Sequence, residues 1–293
     1  MEVFPTAYIP FTLEQRERAA ATDLEEFLRR RGEKLLPAGR DKRLANDHSV
    51  TIRGSQWFDH GTEIGGRAIS FVMRYYALDY PQAVTLLLDA GVSPAPVANV
   101  PETVFTLPEA SSNMRRLFAY LCSTRKISSL VVAAFVRAGL LYEEARFHNA
   151  VFVGRDDQGI PRHGHLHSTG SLSHSFRLNL PGSDSRYSFH HTGTDGCLFV
   201  FEAPIDLLSH ITLNPKGWEQ HSYLACCGLS MKPLLFRLEQ QPALNQVFLC
   251  LDNDSAGEAA CLRMATELKA RGLFVQRLCP DGKDWNDELI RRH

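Results

Sequence analysis

The sequence predicts an α/β protein whose C-terminal third is built on a mostly parallel sheet. From Cys197 onward, short apolar runs alternate with helical patterns. Two of these runs, 198–201 and 247–251, end at acidic residues that helix-starting residues follow. An apolar run of this kind is typical of a buried parallel strand that places a carboxylate at the carboxyl edge of the sheet. The segments before residue 196 mix short strands and helices, which indicates smaller α+β units.

Residues 1–92 are expected to form a small α+β domain. Thr22-x-x-Glu25 is a capping box that starts a helix, Gly54-Ser55 is a hairpin turn, Gly65-Gly66 is a turn before a helix, and Pro81 suits the first turn of a helix. The expected elements are a helix over 24–31, strands over 49–53 and 56–59, and helices over 68–73 and 81–88.

A proline-rich segment without a sustained period, residues 93–110, is the predicted linker. An α+β subdomain over 111–195 follows it. Its expected elements are helices over 112–121 and 128–138, then alternating strands from 141 to 189 with a turn at 156–159.

The third domain, residues 196–293, alternates strand and helix throughout. Its expected elements are strands over 198–201, 223–226, 247–251 and 274–278, with helices over 205–213, 232–238 and 256–270 between them. This order implies right-handed crossovers and a Rossmann-like, mostly parallel sheet.

Composition is compatible with these domains and excludes some classes of protein. The 293 residues are 44% hydrophobic and carry a net charge of -1, so a site for a polyanion must be a local patch. No apolar segment reaches the length of a membrane span and no secretory leader is evident, so we expect a cytoplasmic protein without a membrane partner. All seven cysteines lie at or after Cys122 and are expected to be reduced thiols.

Three acids, Glu202, Asp252 and Asp254, follow the two apolar runs. Because neighbouring parallel strands end at one edge, these carboxylates are expected to share a cleft, where a cation would offset their repulsion. Oxygen donors favour Mg²⁺ or Mn²⁺ and phosphate chemistry. Helix capping alone would explain one of the two aspartates.

These acids also belong to a set of motifs that resembles the Toprim domain of bacterial primases, topoisomerases and some nucleases. The set comprises Glu202, Asp206, Gly228, Asp252-x-Asp254 with Gly257, and Lys283-Asp284-Trp285-Asn286-Asp287. The resemblance implies catalytic roles for Glu202, Asp252, Asp254 and Lys283. It implies metal ligation by Glu202, Asp206, Asp252, Asp254, Asp284 and Asp287. Taken singly, Asp206, Asp284 and Asp287 could equally serve a helix start, and Lys283 could be a solvated surface lysine.

Weaker resemblances extend upstream. The segment 149–153 with Asp157-x-Gly159 is similar to the strand and turn that precede Toprim in replicative primases, and to an uncharacterised domain before Toprim in plasmid and integrative-element proteins. Residues 1–92 resemble the zinc-binding domain of primases. The cysteine ligands of that domain are absent here, so this part must be held by packing alone.

Histidines and basic residues suggest nucleic-acid contacts. His163, His165 and His167 alternate on one strand, for which a polar or nucleic-acid-facing surface is favoured over zinc, so zinc is not predicted. Primases usually carry arginine where His167 stands. Trp57 could be a stacking platform or part of a small core. The expected nucleic-acid contacts are Arg29, Arg30, Arg31, Lys34, Arg40, Lys42, Arg43, Trp57, Arg155, Arg162 and His167. Further candidates for a groove are Arg115, Arg116, Arg125 and Lys126.

The resemblance implies metal-dependent phosphotransfer on nucleic acid. We expect primase-like nucleotidyl transfer in the replication of a mobile element, with single-stranded DNA and nucleotides as substrates and a helicase as a possible partner. A Toprim nuclease and a non-catalytic DNA-binding accessory protein are the alternatives. No G-x-x-x-x-G-K-[ST] motif occurs, so the sequence does not predict ATP-driven activity in this chain.

Overall fold

The structure, a computed structural model of the chain, describes residues 11–62, 64–93, 104–170 and 176–293. It contains two compact units, residues 1–99 and 100–293. Most of the predicted linker, residues 94–103, lies outside the described residues. No helix in the described segments is long and apolar enough to cross a membrane.

The first unit packs four helices against one antiparallel sheet. Its helices are α1 (Leu13–Ala20), α2 (Leu24–Arg30), α3 (Ala68–Tyr75) and α4 (Tyr80–Asp89). Its strands are β1 (Leu35–Ala38), β2 (Asp41–Leu44), β3 (Val50–Arg53), β4 (Gln56–Asp59) and β5 (Ile64–Arg67). The strands pair in chain order, so the sheet is a meander.

The hairpin between β3 and β4 forms where the sequence predicts it, with Arg53 opposite Gln56. Helix α2 also forms, but its cap differs from the prediction. The side chain of Asp23 accepts the hydrogen bond from the amide of Glu26 at 3.0 Å, whereas the Thr22 hydroxyl turns back to the carbonyl of Arg18 at 3.4 Å. Gly65 lies in β5 rather than in a turn.

Trp57 belongs to the core of the first unit and is 5% exposed. Its Nε1 donates a hydrogen bond to Ser70 Oγ at 3.0 Å, and its ring meets Phe71 edge to face at 5.7 Å between centroids. The expectation that Trp57 is a stacking platform for bases is therefore wrong. The same core contains Phe27 and Ile52, and it holds the unit together without cysteines.

The second unit begins with two helical segments and an antiparallel sheet. Helix α5 (Arg115–Phe118) continues as a π-helix over Ala119–Thr124, and α6 (Ser129–Arg137) follows. The strands are β6 (Leu141–Glu143), β7 (Ala150–Arg155), β8 (Pro161–His167) and β9 (Arg177–Asn179), paired in chain order. This sheet agrees with the strand pattern predicted between residues 141 and 189.

From residue 190 onward the chain builds a second sheet with helices between its strands. The elements are β10 (His190–His191), β11 (Cys197–Phe201), α7 (Pro204–Leu213), β12 (Ser222–Ala225), α8 (Lys232–Gln240), β13 (Gln246–Leu249), α9 (Ser255–Ala270), β14 (Phe274–Arg277) and α10 (Trp285–Arg291). The strand order is β10-β12-β11-β13-β14, parallel except for β10. The α/β fold class and its mostly parallel sheet are confirmed.

Two apolar clusters bury both faces of the parallel sheet. Phe201 and Tyr223 face one cluster, while Leu198, Val200 and Val247 face the other. Burial on both faces explains why β11 and β13 are nearly continuous apolar runs.

Gly154 provides a test of how β7 packs against the segment that precedes β10. A Cβ at this position would lie 1.5 Å from the carbonyl oxygen of Tyr187, so any side chain must displace backbone. We predict that Gly154→Ala lowers the free energy of unfolding by about 3 kcal/mol in urea denaturation. Gly170→Ala is the control, because nothing lies within 4 Å of a Cβ there. Equal stabilities of the two variants would contradict this packing.

Candidate metal centre

The two principal acids lie at the carboxyl ends of neighbouring strands. Glu202 follows β11 directly, and Asp252 comes three residues after β13. Strands β11 and β13 run parallel in register, with Val200 beside Leu249, so the two acids reach the same edge of the sheet. Gly228 supports this edge, since its amide donates to the carbonyl of Glu202 at 3.1 Å.

Three further acids reach this edge from the starts of helices. Asp206 lies in the first turn of α7. Asp254 caps α9 by accepting from the amide of Gly257 at 2.9 Å, and Asp284 caps α10 by accepting from the amide of Asp287 at 2.7 Å. Asp254 and Asp284 therefore each cap a helix and also lie near the other acids.

The acids act on one another electrostatically. Burial, followed by the charge of Asp252, raises the pKa of Glu202 to about 7. Burial and the charge of Asp284 raise the pKa of Asp252 to about 6. Asp206 is buried, and burial together with Asp284 and Asp252 raises its pKa well above the ordinary value. These shifts arise because the carboxyls lie near one another in a poorly solvated place.

Asp252 offers the most direct indication of a ligand. This residue is 5% exposed, and its Oδ1 has no hydrogen-bond partner among the described residues. A buried carboxylate oxygen without a partner is costly, and a cation would satisfy it. The oxygen-only donor set fits Mg²⁺ or Mn²⁺.

The spacing of the acids limits how an ion could be held. In the described segments, no three of these acids bring ligand atoms within 4.8 Å of one another. This arrangement fits an ion held directly by one or two carboxylates and otherwise by water, which is the usual coordination of Mg²⁺ in proteins.

Two cations face the acids. The charges of Arg177 and Lys283 lower the pKa values of Glu202 and Asp252, against the larger effect of burial. Lys283 belongs to the predicted site, whereas Arg177 does not. Arg177 lies in β9 of the antiparallel sheet, and no motif in the sequence marks it, because only the packing of the two sheets brings it to the acids.

Asn286 is another residue that the sequence analysis did not assign. Its backbone N–H donates to Asp206 Oδ1 at 3.2 Å, and its side-chain Oδ1 accepts from Arg125 Nη1 at 3.1 Å. Its Nδ2 donates to Ser209 Oγ at 2.9 Å and to the carbonyl of Arg125 at 2.8 Å. Asn286 therefore joins α10, α7 and the end of the π-helical segment beneath the acids. Its position inside the Lys283–Asp287 motif was the available signal.

Gly257 is required by a close approach of helix α9 to Asp252. A Cβ at Gly257 would lie 2.2 Å from the carbonyl oxygen of Asp252. Any side chain would push this helix away from the loop that carries the acid. The glycine in the sequence motif is thus explained by the position of Asp252.

Asp287 is placed differently from the other expected ligands. It forms a salt bridge with Arg291 at 2.6 Å, and its Oδ2 accepts from the amide of Lys283 at 3.3 Å. Because this carboxylate already has a cation, we assign it to holding the Lys283 loop rather than to metal ligation.

The histidine strand is buried rather than exposed. His163, His165 and His167 are 0%, 4% and 8% exposed. Burial lowers the pKa of His163 and of His167 to about 4, so both imidazoles are neutral at pH 7. The prediction of a nucleic-acid-facing strand is wrong for these side chains, and His167 cannot supply positive charge to a phosphate.

The expected basic contacts have varied partners. Arg155 donates to the carbonyls of Gly139 and Gly159 at 2.9 and 2.7 Å, and Arg162 pairs with Asp156 at 2.8 Å. In the first unit, Arg30 donates to backbone carbonyls and the Arg31 guanidinium lies 4.8 Å from the ring centre of Tyr76. Arg29, Arg30, Arg31, Lys34 and Arg40 are all exposed, while Lys42 and Arg43 are half-buried on β2.

The first unit also has a concave surface on its sheet that the sequence analysis did not identify. Its volume is about 450 Å³, and its lining includes Arg53, Arg67 and the partly exposed Phe58. Arg53 pairs with Asp41 and Arg67 pairs with Glu17, so the exposed ring of Phe58 is the group on this surface on which a base could stack.

Comparison with known families agrees with the geometry at the sheet edge. Residues 199–289 match the family model described as Toprim-like. The chain contains a Toprim-like domain. Residues 119–195 match the family described as a protein of unknown function, DUF3991. Both the Toprim prediction and the uncharacterised domain before it are confirmed.

One curated relative is 38% identical over 69 residues, the uncharacterized protein MG010 homolog of Mycoplasma pneumoniae. The match spans 23% of this chain and 32% of the relative, so the chain covers about a third of that protein.

Several solved structures share parts of the fold. The primase fragment of the bacteriophage T7 primase-helicase protein has a TM-score of 0.48 and 16% identity, over 84% of this chain and 90% of that one. The zinc-binding and RNA polymerase domains of Aquifex aeolicus primase give 0.41 and 15%, over 96% and 83%. The E. coli primase catalytic core gives 0.41 and 22%, over 61% and 69%.

The raised pKa of Glu202 predicts a pH effect on stability. The folded metal-free protein holds this proton up to about pH 7, whereas the ordinary pKa is 4.5. The resulting stabilisation is complete below pH 4.5 and is lost as the pH rises through 7. In urea unfolding with a chelator present, the wild-type free energy of unfolding should decrease as the pH rises from 4.5 through 7. We predict that this decrease is about 2 kcal/mol smaller in Glu202→Gln.

Glu258→Gln is the matched control, because Glu258 lies in the same domain and pairs at the surface with Arg277. Its stability should follow the wild-type pH profile. If Glu202→Gln showed that same profile, Glu202 would not be a carboxyl of raised pKa.

Proposed function

We propose that the protein catalyses divalent-metal-dependent nucleotidyl transfer on nucleic acid, extending a primer along a single-stranded DNA template as a primase does. The observation that carries this proposal is the meeting of Glu202 and Asp252 at the carboxyl edge of the Toprim-like sheet, with Asp252 Oδ1 buried and unpartnered among the described residues. Toprim domains generally bind divalent metals.

One or two of Glu202, Asp252 and Asp254 would hold Mg²⁺ or Mn²⁺ directly, with water completing its coordination and with Asp206 and Asp284 adding negative charge behind them. When bound, the ion supplies charge neutralisation at the phosphates and lowers the pKa of the attacking hydroxyl. Glu202 and Asp252 retain protons up to about pH 7 and 6, so they exchange these protons for the cation as it binds.

Two cationic side chains lie beside the acids and would face the phosphates of a nucleotide. Arg177 is exposed on β9, and Lys283 is exposed on the loop before α10. A triphosphate approaching the acids would meet both, with the guanidinium forming paired hydrogen bonds and the ammonium acting as a point charge. These residues therefore bind and orient the phosphates, while the acids face the reacting hydroxyl.

The proposed substrates and partners are those that the resemblance to primases implies. Single-stranded DNA is the template and nucleotides are consumed, in the replication of a mobile element. Because no phosphate-binding loop of the ATPase type occurs in the sequence, strand separation would come from a separate helicase. The concave surface of the first unit, with Arg53, Arg67 and Phe58, is the proposed contact for the template.

A single gel with labelled nucleotide and labelled template tests the reaction. We predict incorporation that requires Mg²⁺ or Mn²⁺ and falls at least about a hundredfold in Asp252→Asn, as expected when a group that stabilises transition-state charge is lost. Glu258→Gln should retain wild-type incorporation. Metal-dependent cleavage of the template without incorporation would overturn the proposal in favour of a nuclease. Salt-sensitive binding with neither product would indicate a non-catalytic DNA-binding protein.

Arg177 allows a second test. We predict that Arg177→Gln raises the KM for the nucleotide about tenfold, because one charge-assisted contact to phosphate is lost. Arg263→Gln, at an exposed position of α9, is the control and should leave the KM unchanged. An unchanged KM in Arg177→Gln would remove Arg177 from the phosphate site.

A further inference from the structure

A second group of metal-binding side chains lies at the opposite edge of the parallel sheet. Asp195, Cys197 and His221 each place one ligand atom so that all three atoms lie within 4.8 Å of one another. Within the part of the chain that the structure describes, no other three such residues do so. Cys197 begins β11 and His221 precedes β12, so this group occupies the amino edge, whereas Glu202 lies at the carboxyl edge.

The backbone fixes the relative positions of the three residues. Strands β11 and β12 are parallel with Leu198 beside Ser222, which places Cys197 next to His221. The amides of Thr194 and Asp195 both donate to the carbonyl of Gln220, at 2.8 and 3.0 Å. The two segments that carry the side chains are therefore already joined before any ion binds.

The Asp195 carboxylate connects the other two residues. Its Oδ1 accepts from the amide of Cys197 at 2.9 Å, and its Oδ2 lies 2.5 Å from Nδ1 of His221. The side chains of Asp195 and His221 are each 33% exposed, so solvent reaches the group. Rings of Phe199 and Tyr223 flank the imidazole, with centroids 5.4 and 6.4 Å away, and limit how far it can turn.

We propose that Asp195, Cys197 and His221 bind a Zn²⁺-class transition-metal ion. One thiolate, one imidazole and one carboxylate are the three donor types that zinc sites in proteins use, whereas Mg²⁺ selects oxygen alone. A tetrahedral zinc site places ligand atoms about 3–4 Å apart. Asp195 Oδ2 and His221 Nδ1, now 2.5 Å apart, would exchange their hydrogen bond for the ion, while the longer distances within the group, up to 4.8 Å, would shorten. Solvent fills the fourth position, and the thiol proton is released to solvent on binding.

The ion would cross-link the amino ends of strands β11 and β12. It joins the residue that begins β11 to the residue that precedes β12, and β11 carries Glu202 at its other end. Strand β11 has five residues, which separates the two edges by about 15 Å. The acids and this group thus share no ligand and prefer different metals. The zinc proposal therefore does not depend on the proposed nucleotidyl transfer.

Binding of Co²⁺ to the full chain, used as a spectroscopic substitute for Zn²⁺, tests the assignment. We expect one equivalent of Co²⁺ to produce the near-ultraviolet charge-transfer absorption of a Co²⁺–thiolate bond. Zn²⁺ should abolish this absorption, and excess Mg²⁺ should not. The absorption should disappear in Cys197→Ser and in His221→Gln. It should remain in Cys279→Ser, which removes an exposed thiol elsewhere, in Cys227→Ser, and in Asp252→Asn.

Folding of each variant is compared by circular dichroism in the presence of a chelator, so that loss of the absorption reports loss of a ligand. A second readout is the midpoint of thermal unfolding. Zn²⁺ should raise the midpoint of the wild-type protein by several degrees and leave that of His221→Gln unchanged. No thiolate absorption in the wild-type protein, or an absorption that persists in Cys197→Ser, would overturn the proposal.

Discussion

The mutual repulsion of buried carboxylates is the constraint on which the C-terminal unit depends. Glu202 and Asp252 are delivered to one edge by adjacent parallel strands, and burial raises the pKa of each toward neutrality. A folded protein tolerates such an arrangement only with protons, cations or both at the acids. Arg177 and Lys283 supply part of that positive charge, and a divalent ion would supply the rest.

The surrounding structure holds the acids against this repulsion with hydrogen bonds and close packing. Asn286 ties Asp206 to Arg125 and Ser209, while the indole of Trp285 donates to the carbonyl of Cys250 at 2.9 Å. These groups need no change of charge when an ion arrives. The site is therefore preorganised, and we expect proton release from the acids to be the main response to an ion.

Much of the C-terminal unit was predictable from the sequence, since strands buried on both faces leave continuous apolar runs and the acids follow those runs directly. The side chains that depend on packing between elements were not. The histidines of β8 occupy alternate positions, which predicts one polar face of a strand, yet neighbouring elements cover them, and Trp57 is buried as well. Arg177 reaches the acids only through the packing of two sheets. Strands β1 and β2 have only four residues each, and β1 contains a proline while β2 is mostly charged, so no periodic pattern marks them.

The central claim is that Glu202 keeps its proton near neutral pH until a divalent cation takes its place. Its carboxyl carbon can be followed by ¹³C NMR across a pH titration, with the resonance assigned from Glu202→Gln. The account predicts a titration midpoint near pH 7 in the metal-free protein. Saturating Mg²⁺ should lower this midpoint markedly. A midpoint near 4.5, the ordinary value, that Mg²⁺ does not move would contradict it.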